Sequence, residues 1–323
     1  MGLHHGYAHP TPVFRWILAF LLMSLPALSQ ELPARLESHV RALAALHRYY
    51  GNPAEYQRAS DYVRQQLTAS GAHVAEQPFS AGGLTFRNVI ARFGPETGEL
   101  VVVGAHYDSA GGYPGADDNA SGVAVLIEIG RLLRDAKLAR PLLLVAYANE
   151  EPPFFRGEHM GSFVHAKSLK NAGAKVKAMI CLEMLGYYSE QKDSQSYPAG
   201  WPHFYGNKGD FLTVVGGLTN VFLARRVSAA IERAGVTSHA IVAPTSVAGV
   251  DFSDHWSYWQ HGYPGVMITD TAFYRNPHYH EESDTPDTLD YKRMAKVVTA
   301  LHEVTLKLAQ LDPTLIPFEA KHL

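Results

Sequence analysis

Residues 101–122, VVVGAHYDSAGGYPGADDNASG, decide the fold of this 323-residue chain. The stretch opens on an apolar run that predicts a buried parallel strand, and it ends where a helical pattern begins. Polar residues follow the strand at once: His106 and Asp108, then Asp118 after a glycine-rich turn. In an open α/β sheet, ligands bind in the crevice beyond the carboxyl ends of the strands. Imidazole and carboxylate groups at that place suit zinc, although such a pair and such a turn also occur as purely structural features.

The rest of the chain repeats this alternation of strands and helices. Helical patterns cover residues 31–48 and 54–70, and residues 73–79 and 84–93 predict a hairpin. Further strands are predicted at 100–104, 142–148, 176–182, 211–215, 239–243 and 266–269, and further helices at 119–136, 162–171, 220–234, 253–261 and 291–311. This order predicts one α/β domain with a mixed, largely parallel β-sheet sandwiched by helices.

The composition is that of an ordinary globular protein, with 46% hydrophobic and 18% charged residues. A net charge of −3 gives no reason to expect nucleic acid or an anionic membrane as a partner. Cys181 is the one cysteine, so no disulfide forms within the chain.

The N-terminus differs from the rest of the chain. Residues 16–25 are apolar except for Ser24, and small residues follow at Ala27 and Ser29. A bilayer span needs about 20 apolar residues, so this run has the length of a signal-peptide core instead. We expect residues 1–29 to be a signal peptide and residues 30–323 to be an exported, periplasmic or secreted, catalytic domain without stable membrane association. The alternatives are an uncleaved anchor or a misassigned start codon.

Acidic and histidine side chains also follow several later strands. Glu150 and Glu151 end one strand, Glu183 ends the next, and His280 lies in a polar loop. Each alone has a structural explanation, such as a cap or a solvated loop. Together they converge on one rim of a parallel sheet, where so many carboxylates repel one another unless cations lie among them.

A count of charges predicts how many cations the rim holds. His106 and His280 bind metals as neutral imidazoles, so they contribute no charge. The carboxylates of Asp118, Glu151 and Glu183, with one bridging hydroxide, carry four negative charges, which two zinc ions balance. Two metal ions about 3.5–4 Å apart are a recurrent arrangement in hydrolases.

Five blocks of the sequence resemble a known family. GAHYDS, GADDNASG, the Glu-Glu pair after a core strand, CLEM and NPHYH-x3-DT are similar to the motifs of the co-catalytic dizinc aminopeptidases of the bacterial leucyl aminopeptidase type. That family also contains glutaminyl cyclases and plasma carboxypeptidase relatives. The resemblance covers roughly residues 85–310. It implies a zinc-aminopeptidase fold of the phosphorylase/hydrolase-like kind, two zinc ions, and removal of N-terminal residues from a peptide substrate.

The resemblance also implies roles for individual residues. The bridging ligand is Asp118, and the terminal ligands are His106 with Glu183 and Glu151 with His280. Glu150 is implied as the general base for the water between the metals, and Asp108 as the outer carboxylate that orients His106. A cis peptide bond is implied between Asp118 and Asn119. Neighbouring residues at a strand end face different directions, so one of the two glutamates can ligate while the other reaches the water.

The chain departs from the family pattern in ways that concern the substrate. Many members carry aspartate where this chain has Glu183, and residues 152–160 are longer than in the simplest members. Residues 251–255 resemble the substrate loop but lack its cysteines and its carbonyl-polarising tyrosine, a role that Tyr274 is the candidate to fill. Asp254 and Phe155 are the other candidate substrate-binding residues.

Aromatic residues near the ligands and the substrate loop predict a pocket for a hydrophobic side chain. They are Phe154, Phe155, Trp256, Trp259, Phe273 and Tyr274. Each methylene buried there contributes about 0.8 kcal/mol. The alternative is that most of these side chains belong to the core.

Three functions fit the sequence to different degrees. The leading hypothesis is a zinc aminopeptidase, and the second is a glutaminyl cyclase that works with one zinc ion. The third, a non-catalytic scaffold, is disfavoured because neither a ligand nor the base is missing. The oligomeric state and the preferred N-terminal residue stay open.

Overall fold

The computed structural model describes residues 1–2, 31–198 and 205–310. The predicted signal peptide therefore lies outside the described residues, except for its first two, and it stays a prediction. None of the helices in these ranges combines the length and the apolar character that a bilayer crossing demands.

Eight strands form one mixed sheet in the order β1-β2-β4-β3-β5-β8-β6-β7. The strands are β1 (His73–Ala81), β2 (Leu84–Phe93), β3 (Leu100–His106), β4 (Leu142–Tyr147), β5 (Val176–Glu183), β6 (Phe211–Gly216), β7 (Thr237–Val242) and β8 (Gly265–Thr269). Strands β4, β3, β5 and β8 run parallel, whereas the β1–β2 hairpin joins β4, and β6 joins β8, in antiparallel register. The predicted mixed, largely parallel sheet is confirmed.

Helices cover both faces of the sheet. They are α1 (residues 31–44), α2 (Pro53–Ala69), α3 (Gly122–Leu132), α4 (Gly161–Asn171), α5 (Val221–Arg233), α6 (His255–Gln260) and α7 (Tyr291–Ala309). Alternate strand residues point to opposite faces. Val101 and Val103 accordingly face the core shared with α1, α2, α3, α5 and α7, whereas Val102 faces the core shared with α4 and α6. The predicted sandwich is confirmed.

The start of α3 differs from the sequence prediction and shapes the site. The predicted helix begins at residue 119, but residues 116–121 form a wider turn and the regular helix starts at Gly122. The peptide bond between Asp118 and Asn119 is cis, as the resemblance implied. The Asn119 side chain accepts from the N–H of Gly122 and donates to the carbonyl of Leu182. This turn therefore ties the helix to β5 and leaves Asp118 at the rim.

Gly115 is required for that turn. Its φ of 55° lies in the left-handed region, and a Cβ there would collide with the carbonyl oxygen of Asp118. A side chain at this position would displace Asp118 from the rim.

Candidate metal centre

Three adjacent parallel strands end at one rim, and each delivers side chains to it. His106 is the last residue of β3, Glu150 and Glu151 follow β4, and Glu183 is the last residue of β5. All four are between 1% and 7% exposed. His280 reaches the same rim from the loop before α7. The structure thus brings together side chains that the sequence separates by up to 174 positions (280 − 106).

The backbone at the rim is strained at one candidate ligand and beside two other candidate site residues. Asn149, Met184 and His280 adopt positive φ angles of 59°, 49° and 57°, which residues other than glycine rarely adopt. Asn149 is held there by Tyr56, whose hydroxyl accepts from its N–H at 2.8 Å and donates to its side-chain oxygen at 2.9 Å. Such strain persists only where surrounding contacts impose it, and it is concentrated at functional sites.

Asp118 lies between the two histidines and turns one oxygen to each. Its Oδ1 is 3.4 Å from His106 Nε2, which is also 3.3 Å from Glu183 Oε2. Its Oδ2 is 3.2 Å from His280 Nε2, which is also 3.4 Å from Glu151 Oε2. The side chains therefore form two half-sites, His106 with Glu183 and His280 with Glu151, and the Asp118 carboxylate belongs to both. These are the pairs of terminal ligands that the resemblance implied.

These distances suit zinc. Two ligand atoms about 2.0–2.1 Å from a tetrahedral zinc ion lie about 3.3 Å apart. Within the described residues, neither ring nitrogen of His106 has a hydrogen-bond partner, and neither does Glu151 Oε1. A buried polar atom without a partner costs about 1–3 kcal/mol, which a metal–ligand bond offsets. Ligand atoms of His106, Asp118 and Glu151 lie within 4.8 Å of one another. The residues present therefore fit a zinc centre.

The electrostatics of the metal-free centre point the same way. Burial raises the pKa of Glu151 to about 7 and also raises the pKa of Glu183. Burial opposes the charged form of His280, but Asp118 and Glu151 outweigh it and raise its pKa to about 10. Despite burial, the pKa of Asp118 is held below its usual value by His106 and His280. In the absence of metal, protons would take the places of cations, and metal binding would release them.

Glu150 differs from its neighbour Glu151. Its Oε2 is 3.9 Å from His106 Nε2, farther than the 3.2–3.4 Å that joins the half-site atoms. Burial raises its pKa well above the usual value, and the nearby Glu151 and Glu183 raise it further. A buried carboxyl group that is close to the ligands but outside both half-sites can carry a proton.

Asp108 has a second function besides the predicted one. Its Oδ1 is 3.5 Å from His106 Nδ1, longer than an ordinary hydrogen bond. Its two oxygens accept the backbone N–H groups of Glu150 and Glu151, each at 3.1 Å. Orientation of His106 by Asp108 stays a prediction, and the structure adds that Asp108 holds the backbone of the glutamate pair.

Sequence reasoning missed Asp284, which holds the backbone of Asp117 and Asp118 as Asp108 holds that of the glutamate pair. Its oxygens accept the N–H groups of Asp117 and Asp118 at 2.9 and 3.1 Å, and it is 1% exposed. Asp284 is the aspartate of the NPHYH-x3-DT block, so its place in that motif was the available signal.

Arg48 was missed as well. It is fully buried and donates to the carbonyl groups of Leu43, Pro114 and Gly115, beside the turn that leads to Asp118. Burial lowers its pKa to about 10, against the attraction of Asp284 and other carboxylates. Nothing in the sequence separated this arginine from those on the surface.

An apolar pocket of about 390 Å³ opens beside the centre. Its walls include Pro152, Phe155, Thr213, Val215, Ile241, Val247, Val250, Phe252, Met267, Phe273, Tyr274 and Tyr279. No lysine or arginine is among the described residues that line it, and its acidic lining residues are those of the rim. The pocket therefore suits an uncharged, apolar side chain.

The pocket includes half of the predicted aromatic residues. Phe155, Phe273 and Tyr274 line it. Phe154, Trp256 and Trp259 do not line it and pack elsewhere. Phe154 packs on Phe86 with ring centroids 5.7 Å apart, Trp256 packs on Phe163 at 5.9 Å, and Trp259 packs on His255 at 4.6 Å.

Asp254 does not line the pocket, and its contact with substrate stays a prediction. It is fully buried just before α6, behind the rim, and burial raises its pKa to about 7. Tyr274 does line the pocket, but its hydroxyl faces the carbonyl of Ala248 at 3.4 Å. Tyr279 stacks on His280 with centroids 3.9 Å apart and was not predicted to line the pocket.

Comparison with known proteins identifies the family. Residues 88–305 match the model of peptidase family M28. The chain belongs to this family. It is 45% identical over 280 residues to the uncharacterized protein YfbL of Escherichia coli K12, with 82% of this chain and 85% of that protein covered. It is 27% identical over 290 residues to a probable leucine aminopeptidase 1 of Trichophyton verrucosum, with 84% and 71% covered.

Solved structures show the same fold. A Zn-dependent exopeptidase from Parabacteroides distasonis superimposes on this chain with a TM-score of 0.63, 19% identity, and coverage of 85% of this chain and 97% of that one. A glutaminyl cyclase from Porphyromonas gingivalis superimposes with a TM-score of 0.64 and 21% identity, and the match covers 84% of this chain and 97% of the cyclase. Peptidase family M28 is a family of hydrolases, and glutaminyl cyclases share its fold.

Proposed function

We propose that this M28 peptidase is a two-zinc aminopeptidase that removes apolar N-terminal residues from peptides. The observation that carries the proposal is the position of Asp118, whose two oxygens face His106 and His280. A shared carboxylate with two terminal ligands on each side is a ligand set for two metal ions rather than one.

The residues would divide the chemistry between them. Asp118, His106, Glu183, Glu151 and His280 would hold the zinc ions, which lower the pKa of a bound water to about 7 and polarise a carbonyl group. Glu150 lies outside both half-sites, so it is free to accept a proton and deliver it to the leaving amine. Burial raises its pKa, which favours the form that carries a proton.

The charges around the pocket favour an N-terminal over a C-terminal substrate residue. A C-terminal carboxylate needs arginine or lysine as a partner, and the described lining residues include neither. The acidic rim attracts a positively charged α-amino group instead. The apolar walls, among them Val215, Ile241 and Met267, suit an aliphatic or aromatic side chain.

The test combines metal analysis with a substrate panel. Purified protein should contain about two zinc ions per chain, and it should cleave leucyl and phenylalanyl nitroanilides faster than alanyl, lysyl or glutamyl ones. Chelation should abolish the activity and added zinc should restore it. One zinc ion with cyclisation of a glutaminyl peptide would assign the protein to the cyclases instead, and release of C-terminal residues would overturn the assignment to aminopeptidases.

We also propose that the protein is exported. The support is the apolar run at residues 16–25 with Ala27 and Ser29 after it. Protein isolated from its native host should begin near Gln30 or Glu31 on N-terminal sequencing. Intact Met1 in a cytoplasmic fraction would contradict export.

A further inference from the structure

We infer that Arg156 is a positioning residue that fixes two walls of the pocket relative to each other and so sets the affinity for the substrate side chain. The inference rests on the proposed function, since it concerns the pocket that would receive that side chain. The two walls are the insertion loop (residues 152–160) and the facing loop (residues 244–252).

The two loops supply opposing aromatic rings to the pocket. Phe155 belongs to the insertion loop and Phe252 to the facing loop, and both line the pocket. Their ring centroids are 5.7 Å apart at an interplanar angle of 86°, an edge-to-face contact. Phe252 continues the contact to Phe273, at 6.3 Å. The width of the pocket at this place therefore depends on how the loops sit against each other.

Backbone hydrogen bonds do not set that arrangement. In the insertion loop, the N–H of Gly157 donates to Phe154 at 2.9 Å, and in the facing loop that of Val250 donates to Val247 at 3.2 Å. Within the described chain, no backbone hydrogen bond joins one loop to the other. Side chains must hold them together.

Arg156 makes the polar link between the loops. Its Nη2 is 2.7 Å from Oδ2 of Asp251, whose side chain is 2% exposed. Its guanidinium carbon lies 5.8 Å from the ring centroid of Phe252 and also 5.8 Å from that of Trp256. The N–H of Arg156 donates to Met160 Sδ at 3.0 Å, which steadies the loop that carries it.

This ion pair is buried on one side, because the Asp251 side chain is 2% exposed whereas that of Arg156 is 42% exposed. Solvent weakens the attraction on the arginine side, but removal of Arg156 would leave the buried Asp251 carboxylate without its cationic partner. Its Oδ1 has no hydrogen-bond partner among the described residues. Loss of Arg156 would therefore drive Asp251 toward water and carry the adjacent Phe252 away from Phe155. Neither residue of the pair lines the pocket, so the effect on substrate would be indirect.

The experiment compares three variants of the full-length, zinc-loaded protein. Arg156→Ala removes the link, and Arg156→Ala with Asp251→Asn also removes the buried charge, in case the single variant folds poorly. Glu158→Gln is the matched control, because Glu158 is in the same loop but forms an exposed pair with Lys167 at 3.5 Å. The readouts are KM and kcat for leucyl nitroanilide, zinc content, and backbone hydrogen exchange in the two loops.

We expect Arg156→Ala to raise KM about tenfold, with kcat within about twofold and zinc content unchanged, because a disordered pocket weakens binding. Exchange in both loops should accelerate about tenfold. The double variant should show a smaller rise in KM, because no buried charge is left to move toward water, and Glu158→Gln should match the wild type. Unchanged exchange in Arg156→Ala, or faster exchange with an unchanged KM, would overturn the inference. If the wild type cleaves no aminoacyl substrate, the proposed function fails. The role of Arg156 is then tested by hydrogen exchange in the two loops and by calorimetric measurement of L-leucinamide binding.

Discussion

At the scale of single residues, the site assigns different environments to identical side chains. Glu150 and Glu151 are neighbours in the sequence, and both are 5% exposed. Glu151 Oε2 lies 3.4 Å from His280 Nε2, a distance that suits two ligands of one ion. Glu150, in contrast, lies outside both half-sites. Asp108 holds the backbone of both, so the difference comes from the direction of the side chains.

Glu150→Gln should separate chemistry from metal binding. Glutamine keeps the shape and a carbonyl oxygen but cannot accept the proton, so kcat should fall by about three orders of magnitude while zinc content and KM stay near the wild-type values. Glu151→Gln should instead lose metal. Zinc analysis and kcat are measured on both variants side by side. The roles are exchanged if Glu150→Gln loses zinc and Glu151→Gln retains it.

Asp118→Ala should remove both metal ions, because one carboxylate serves both half-sites. His280→Ala should weaken one site first, and stepwise titration with zinc should then show one tight and one weak site. Competition with a chelator of known affinity measures both variants. Two tightly bound zinc ions in Asp118→Ala would contradict a bridging role.

At the scale of elements, a buried ion-pair cluster ties α3 to α1. Glu128 of α3 is 1% exposed, and Arg35 Nε of α1 donates to its two oxygens at 3.0 and 3.1 Å. Arg131 Nε donates to it at 2.9 Å. Despite burial, these partners together with His39 lower the pKa of Glu128 to about 2. Because α3 begins at the turn that carries Asp118, the cluster supports the site from behind.

Glu128→Gln should make the protein less stable at neutral pH but not in acid. The folded pKa of about 2 is below the usual 4.5, so the ionised form stabilises the fold, and this contribution is lost as the pH falls from about 4.5 to 2. Urea unfolding at pH 7 should show a loss of about 2–3 kcal/mol in the free energy of unfolding. The difference from the wild type should shrink below pH 4. An equal difference in the free energy of unfolding at pH 7 and below pH 4 would contradict the assignment.

At the scale of the whole molecule, the fold places several buried acids at one rim and needs cations there. Without metal, the pKa of Glu151 is raised to about 7 and that of His280 to about 10. In both cases the folded pKa exceeds the unfolded value, so the protonated form is the one that stabilises the fold. That contribution is complete below the unfolded pKa and is lost as the pH rises through the folded pKa.

Metal-free protein should therefore lose stability between pH 5.5 and 8.5, whereas zinc-loaded protein should not. The Glu151 titration alone lowers the free energy of unfolding by about 2 kcal/mol over this range, which lowers Tm by about 3 °C in a chain of this size. Calorimetry of chelated and zinc-reconstituted samples at both pH values provides the test and its control. A metal-free protein with the same Tm at both pH values would show that the acids at the rim do not repel one another.

The sequence by itself determined the order of elements and the residues with chemistry at their ends. Apolar periodicity and turn residues are local properties, so strand β3, helix α7 and the Gly82-Gly83 hairpin were predicted close to their observed bounds. Parallel strands end at a common edge, so the convergence of His106, Glu151 and Glu183 also followed from local patterns.

Only the tertiary structure decided which side chains meet and which are buried. Asp254 lies in the substrate loop and Trp256 directly after it in sequence, but neither lines the pocket. Arg48 supports the site from a position that no local pattern distinguishes. The pairing of Arg156 with Asp251 spans 95 residues (251 − 156). Such contacts depend on how separate elements pack in space, and periodicity along the chain carries no information about that.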